Sequence, residues 1–90
     1  MRPVEDPDDV IEKLGRRIAE LRADAGLTQA EVAERIETAV SNYQRIEHGL
    51  QNLTIRTLVK ISTALGVPVI RLFERPSTAR SGRGRPRKRR

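Results

Sequence analysis

Ninety residues, 37% of them hydrophobic and none a cysteine, accommodate one small domain with a modest core and exclude a disulfide framework or a thiolate metal site. The formal charge of +6 is unevenly placed: residues 75–90 carry eight basic residues and no acid, whereas residues 1–74 carry ten basic residues against twelve acidic. No stretch reaches the ~18 apolar residues of a membrane span, and "MRPVEDPDDV" lacks the apolar run of a secretory signal, so a soluble, cytoplasmic protein is expected.

In chain order, residues 1–9 hold Glu5, Asp6, Asp8 and Asp9 against Arg2 and read as an acidic flexible arm. In "VIEKLGRRIAELRADAG" the apolar residues Ile11, Leu14, Ile18, Leu21 and Ala25 recur at intervals of three and four, one face of a helix that Gly26 stops. In "LTQAEVAERI", Thr28 and Glu31 form a capping box and Leu27 with Val32 a hydrophobic staple, predicting a second helix over 29–36. A third, over about 40–48, buries Tyr43 and Ile46 and ends at Gly49. Thr54 caps a fourth, which Gly66 closes, and Leu53 with Leu58 repeat the staple pattern. The last element, "VPVIRLFE", predicts a fifth helix with Pro68 at its first position and Val69, Ile70, Leu72 and Phe73 available for burial. No segment alternates like a strand, so residues 10–74 read as a compact all-α domain of five helices. Residues 75–90, rich in Arg, Gly, Pro and Ser, read as a disordered basic tail.

Only "ETA" separates the second and third helices, so they must cross steeply, and Ala33 permits the close approach. Here the sequence resembles the Cro and phage-repressor (XRE) class of helix-turn-helix proteins. "LTQAEVA" at 27–33, "RIEHG" at 45–49 and "TLVKISTALGV" at 57–67 carry the resemblance, which covers roughly residues 12–74. It implies a lambda-repressor-like domain that binds double-stranded DNA as a symmetric homodimer, the third helix in the major groove and the second across the backbone.

The helical repeat tests this independently. With Tyr43 and Ile46 inward, Ser41, Gln44, Arg45 and His48 point outward, with Val40 and Asn42 on the flanks. Arg45 suits a bidentate pair with guanine and Gln44 one with adenine, while Ser41 can bond several bases and Val40 can touch a thymine methyl. These four are the expected base contacts. His48 sits in the last turn, where it favours the helix dipole, and is not counted among them. The resemblance sets Gln29 against a phosphate, with Asn42, Asn52 and Thr54 as further backbone contacts, and makes Glu47 an internal tie.

Two positions depart from the family pattern. Glu37 stands where the turn usually has glycine, and a left-handed non-glycine residue costs roughly 1 kcal/mol or more, so either the turn is strained or its geometry differs. Ala39 stands where a capping Ser or Thr is common, which leaves open whether the third helix starts from Thr38.

The tail stretch Arg83, Gly84, Arg85, Pro86, followed by Arg87 and Lys88, resembles an AT-hook: glycine admits the backbone to the minor-groove floor, proline holds it extended, and arginines enter the negative potential of a narrow A·T groove. A sequence-specific transcriptional regulator is the leading expectation. An architectural nucleoid protein, an antitoxin or a restriction-modification controller are the alternatives. One histidine, no cysteine and no phosphate-binding glycine loop predict neither catalysis nor a cofactor, metal or small-molecule ligand. Leu72 and Phe73 either form the dimer contact or close the monomer core.

Overall fold

The computed structural model describes residues 1–77. The tail residues Arg83, Gly84, Arg85, Pro86, Arg87 and Lys88 lie outside the described residues.

The first helix, α1, spans Pro7–Asp24. It begins inside the acidic segment that the sequence reading assigned to a flexible arm. The side chain of Asp6 accepts a hydrogen bond from the Asp8 amide at 2.9 Å, Pro7 contributes a preset φ, and Asp8 and Asp9 lie where the helix dipole favours anions. Three further α-helices follow. α2 spans Gln29–Arg35, and its capping box is complete, Thr28 and Glu31 exchanging side-chain and backbone hydrogen bonds. α3 spans Val40–Glu47 with Ala39 as its N-cap, so the helix does not start from Thr38. α4, Ile55–Leu65, runs from the Thr54 cap to a left-handed Gly66.

The fifth element is a 3-10 helix, Val69–Phe73, with Pro68 as its cap, not an α-helix with Pro68 inside. Three residues per turn explain why only part of its apolar content is buried. Val69 and Leu72 share the inner side, Leu72 fully buried, while Ile70 and Phe73 share the outer side at 70% and 50% exposure. Leu72 therefore closes the monomer core, and Phe73 stays available. Arg17 fastens this element to α1, its Nε donating to the Arg71 carbonyl at 3.1 Å and its guanidinium pairing with Glu20 and Glu74.

The core lies where the four helices face one another. Leu14, Ile18 and Leu21 of α1 meet Val32 and Ala33 of α2, Tyr43 and Ile46 of α3, and Leu58, Ile61 and Leu65 of α4. Ile11 is only half-buried, and Ala25, expected on the inner face of α1, is its exposed C-cap. Two close approaches fix where α3 sits. A Cβ on Gly15 would lie 2.5 Å from the carbonyl oxygen of Ile46 and 2.7 Å from that of Glu47, so α1 lies directly against the end of α3. Arg35 of α2 donates to the Ala64 carbonyl at 3.0 Å and ties α2 to α4.

The turn between α2 and α3 resolves the question set by Glu37. The amides of Glu37 and Thr38 bond back to the carbonyls of Glu34 (3.1 Å) and Ala33 (2.9 Å). That is the paired pattern with which α1 ends at Gly26, where the amides of Gly26 and Leu27 return to Ala23 and Arg22. The geometry is the glycine one, and Glu37 adopts it at φ 61°, the one non-glycine residue with positive φ among those described. The turn is strained. Among the described residues no helix is long and apolar enough to cross a membrane.

Candidate nucleic-acid interface

The inner face of α3 is locked by one hydrogen-bonded cluster built around Glu47. Its carboxylate, whose side chain is 5% exposed, accepts from Arg22 Nε at 2.6 Å, Arg22 Nη2 at 3.2 Å, Gln29 Nε2 at 2.8 Å and the Tyr43 hydroxyl at 2.5 Å. Burial pushes the Glu47 pKa up, but the hydrogen bonds from Arg22, Tyr43 and Gln29, reinforced by the Arg22 charge, hold it below the usual carboxylate range. The Tyr43 hydroxyl is pushed well above its ordinary pKa by burial and by its bond to Glu47, so it remains a donor. Arg22 also donates to the Leu27 carbonyl at 2.9 Å, which binds the α1–α2 corner to the same cluster. Tyr43 is thus a core residue with a polar anchor, and Glu47 is an internal tie.

With Tyr43, Ile46 and Glu47 inward, Ser41, Gln44, Arg45 and His48 stand exposed on the opposite side of α3. Val40 opens the helix at 40% exposure. Ala39 provides no side-chain cap, so the first amides of α3 lack that partner. The outward set is the one expected from the helical repeat.

The expected backbone contacts divide. Gln29, half-buried at the start of α2, is tied on one side to Glu47 and on the other accepts from Gln44 Nε2 at 3.1 Å. Asn42 is half-buried and engaged in structure: its amide donates to Thr38 Oγ1 at 2.8 Å and its carbonyl accepts from Gln51. Thr54 Oγ1 accepts from the Thr57 amide as the cap of α4, while Asn52 is exposed in the loop before it. The sequence reading missed Arg22, Gly15 and Gln51. Nothing local marks Arg22 as the partner of Glu47, because the pairing exists only once α1 docks on α3.

The helix-turn-helix family model matches residues 18–72, more than half of the chain. The chain is 35% identical over 54 residues to the HTH-type transcriptional regulator RamB of Mycobacterium tuberculosis, covering 60% of this chain but only 11% of RamB. It is 36% identical over 64 residues to the uncharacterized HTH-type transcriptional regulator y4dJ of Sinorhizobium fredii, covering 71% of this chain and 83% of that one. Among solved structures it is similar to the restriction-modification controller protein C.AhdI from Aeromonas hydrophila, with a TM-score of 0.73 and 30% identity over 77% of this chain and all of that one. It is also similar to the clp gene regulator ClgR from C. glutamicum, with a TM-score of 0.68 and 27% identity over 79% and 86% of the two chains.

Proposed function

This chain belongs to the helix-turn-helix family of the XRE type, and from that premise we propose that it is a sequence-specific, double-stranded DNA-binding transcriptional regulator whose α3 enters the major groove. One observation carries the reading: Ser41, Gln44 and Arg45 share the exposed side of a helix whose other side is pinned by Tyr43, Ile46 and Glu47. Base-reading side chains need such a rigid mount, because each hydrogen bond to a base edge depends on sub-ångström placement. Val40 completes the base-facing set. Gln29, Asn42, Asn52 and Thr54 flank it as backbone contacts, Asn42 and Thr54 through whatever bonding capacity their structural roles leave. The direct test is replacement of Ser41, Gln44 and Arg45 one at a time by alanine: each loses preference at its own base pair, whereas solvated residues leave every preference intact.

The folded part supplies little net charge. The Arg83-Gly84-Arg85-Pro86 segment with Arg87 and Lys88 supplies the remainder by entering an adjacent A·T-rich minor groove, where tethering raises its effective concentration. About five phosphate contacts from the tail add about −4.5 to the slope of log K against log salt. Removing residues 78–90 without changing affinity or salt dependence would sink this assignment.

The regulator acts as a homodimer on two half-sites about one helical turn apart, and Ile70 and Phe73, exposed on the 3-10 helix, offer apolar surface for the contact. Phe73→Glu should then shift sedimentation toward the monomer; an unchanged profile moves the contact elsewhere. The likeness to C.AhdI over that protein's whole length favours one narrower role, a restriction-modification controller. Mapping the selected binding site to a promoter that drives a restriction endonuclease would establish it, and a site elsewhere would reject it.

A further inference from the structure

A chain of polar contacts runs from the buried carboxylate of Glu47 to the exposed side of α3, and each link has a fixed sense. An ionised carboxylate only accepts, so Gln29 must turn its NH2 group toward Glu47, at Nε2–Oε1 2.8 Å. The Gln29 carbonyl then faces the other way, where it accepts from Gln44 Nε2 at 3.1 Å. Gln44 is left with its own carbonyl oxygen and one N–H. Turned over, it would set oxygen against oxygen.

The pair that remains is a donor beside an acceptor, the complement of N7 and the N6 amino group on the major-groove edge of adenine. Guanine offers two acceptors there and meets the Gln44 carbonyl with nothing to donate. A glutamine free to flip would lose much of this discrimination. We infer that Gln29 is a positioning residue: anchored by Glu47, it locks the Gln44 amide in the sense that pairs with adenine, and so sets the base preference at one position of each half-site without touching the base. The inference rests on the reading that Gln44 faces base edges.

The test measures binding of the full chain to four duplexes that differ at the Gln44-dependent position, with Gln44→Ala, Gln29→Ala and the double variant. Gln29→Met, which keeps the length of the side chain, replaces Gln29→Ala if that variant melts early. The expected result is roughly tenfold preference for adenine in the unmodified chain, on the scale of one bidentate pair. Gln44→Ala abolishes it, Gln29→Ala lowers it about threefold or more at that position alone, and the double variant matches Gln44→Ala. If Gln29→Ala weakens all four duplexes alike and leaves the adenine preference intact, Gln29 acts on the backbone only and the lock is overturned, while Gln44 survives as a base contact. If Gln44→Ala changes no base preference, or the preference it removes is for another base, the adenine reading of Gln44 falls, and the lock with it.

Discussion

Arg22 and Glu47, 25 positions apart in sequence, form a two-pronged ion pair between α1 and α3, with Nε–Oε2 at 2.6 Å and Nη2–Oε1 at 3.2 Å. The pair holds the exposed side of α3 at a fixed angle to the rest of the domain. Removing the cation leaves a carboxylate with little water around it, which is far costlier than deleting both partners. Arg22→Met should lower stability by about 3 kcal/mol in urea denaturation, whereas Tyr43→Phe, which removes one donor to the same carboxylate, should cost about 1.5 kcal/mol. Equal, small effects from both would show that Glu47 is solvated and the cluster unimportant.

The same carboxylate makes stability depend on pH in one direction. Its pKa is held below the ordinary value in the folded chain, so the unfolded chain takes up the proton first as pH falls. The stabilisation is therefore present above the ordinary carboxylate range and is lost as pH drops through that range toward the depressed folded value. Glu31 and Glu74, depressed in the same sense, by hydrogen bonds from Thr28 and from Arg71 respectively, add to the slope at the surface. In acid titrations of denaturation free energy, Glu47→Gln should show a shallower loss below about pH 5 than the unmodified chain. Parallel curves would contradict this.

Gly15 and Gly26 predict two different kinds of glycine sensitivity. Gly15→Ala raises helix propensity by about 1 kcal/mol but forces its methyl against the backbone carbonyls of Ile46 and Glu47, so a net loss of about 1 to 3 kcal/mol is expected. At Gly26 no atom lies within 4 Å of a new Cβ, and the cost, about 1 kcal/mol, comes from φ +74° alone. A crystal structure of each variant separates them: only Gly15→Ala should move α3 relative to α1.

Glu37→Gly should stabilise the chain. A left-handed non-glycine residue costs about 1 to 2 kcal/mol, and glycine gives back part of that as unfolded-state entropy, leaving a gain of up to about 1 kcal/mol. Thermal melting should rise by a few degrees; a fall would mean that the Glu37 side chain contributes something the strain argument omits.

Most of what was legible in the sequence was local. Thr28 with Glu31, Thr54 with Thr57, and the glycines after α1, α3 and α4 specify caps within a few residues, and the outer face of α3 follows from the inward positions of Tyr43 and Ile46. The start of α1 was legible too, in Asp6-Pro7: the acidic residues that read as a flexible arm include the cap and first turn of the helix. What lay beyond the sequence depends on packing between distant segments: the Arg22 partner of Glu47, the carbonyls that face Gly15, and the Gln51 side chain that engages Asn42. The 3-10 period of residues 69–73 was illegible for a different reason. Five residues carry too few positions to tell a period of three from one of 3.6.

The central claim, that α3 reads a defined base sequence, is tested most directly by selecting bound duplexes from a random-sequence pool at near-physiological salt, with the full chain and a chain ending at Ser77. The account predicts that both recover the same paired half-site motif, with flanking A·T tracts enriched by the full chain alone. Enrichment of A·T-rich DNA without a motif, lost on truncation, would contradict it and make the tail the binding element of an architectural protein.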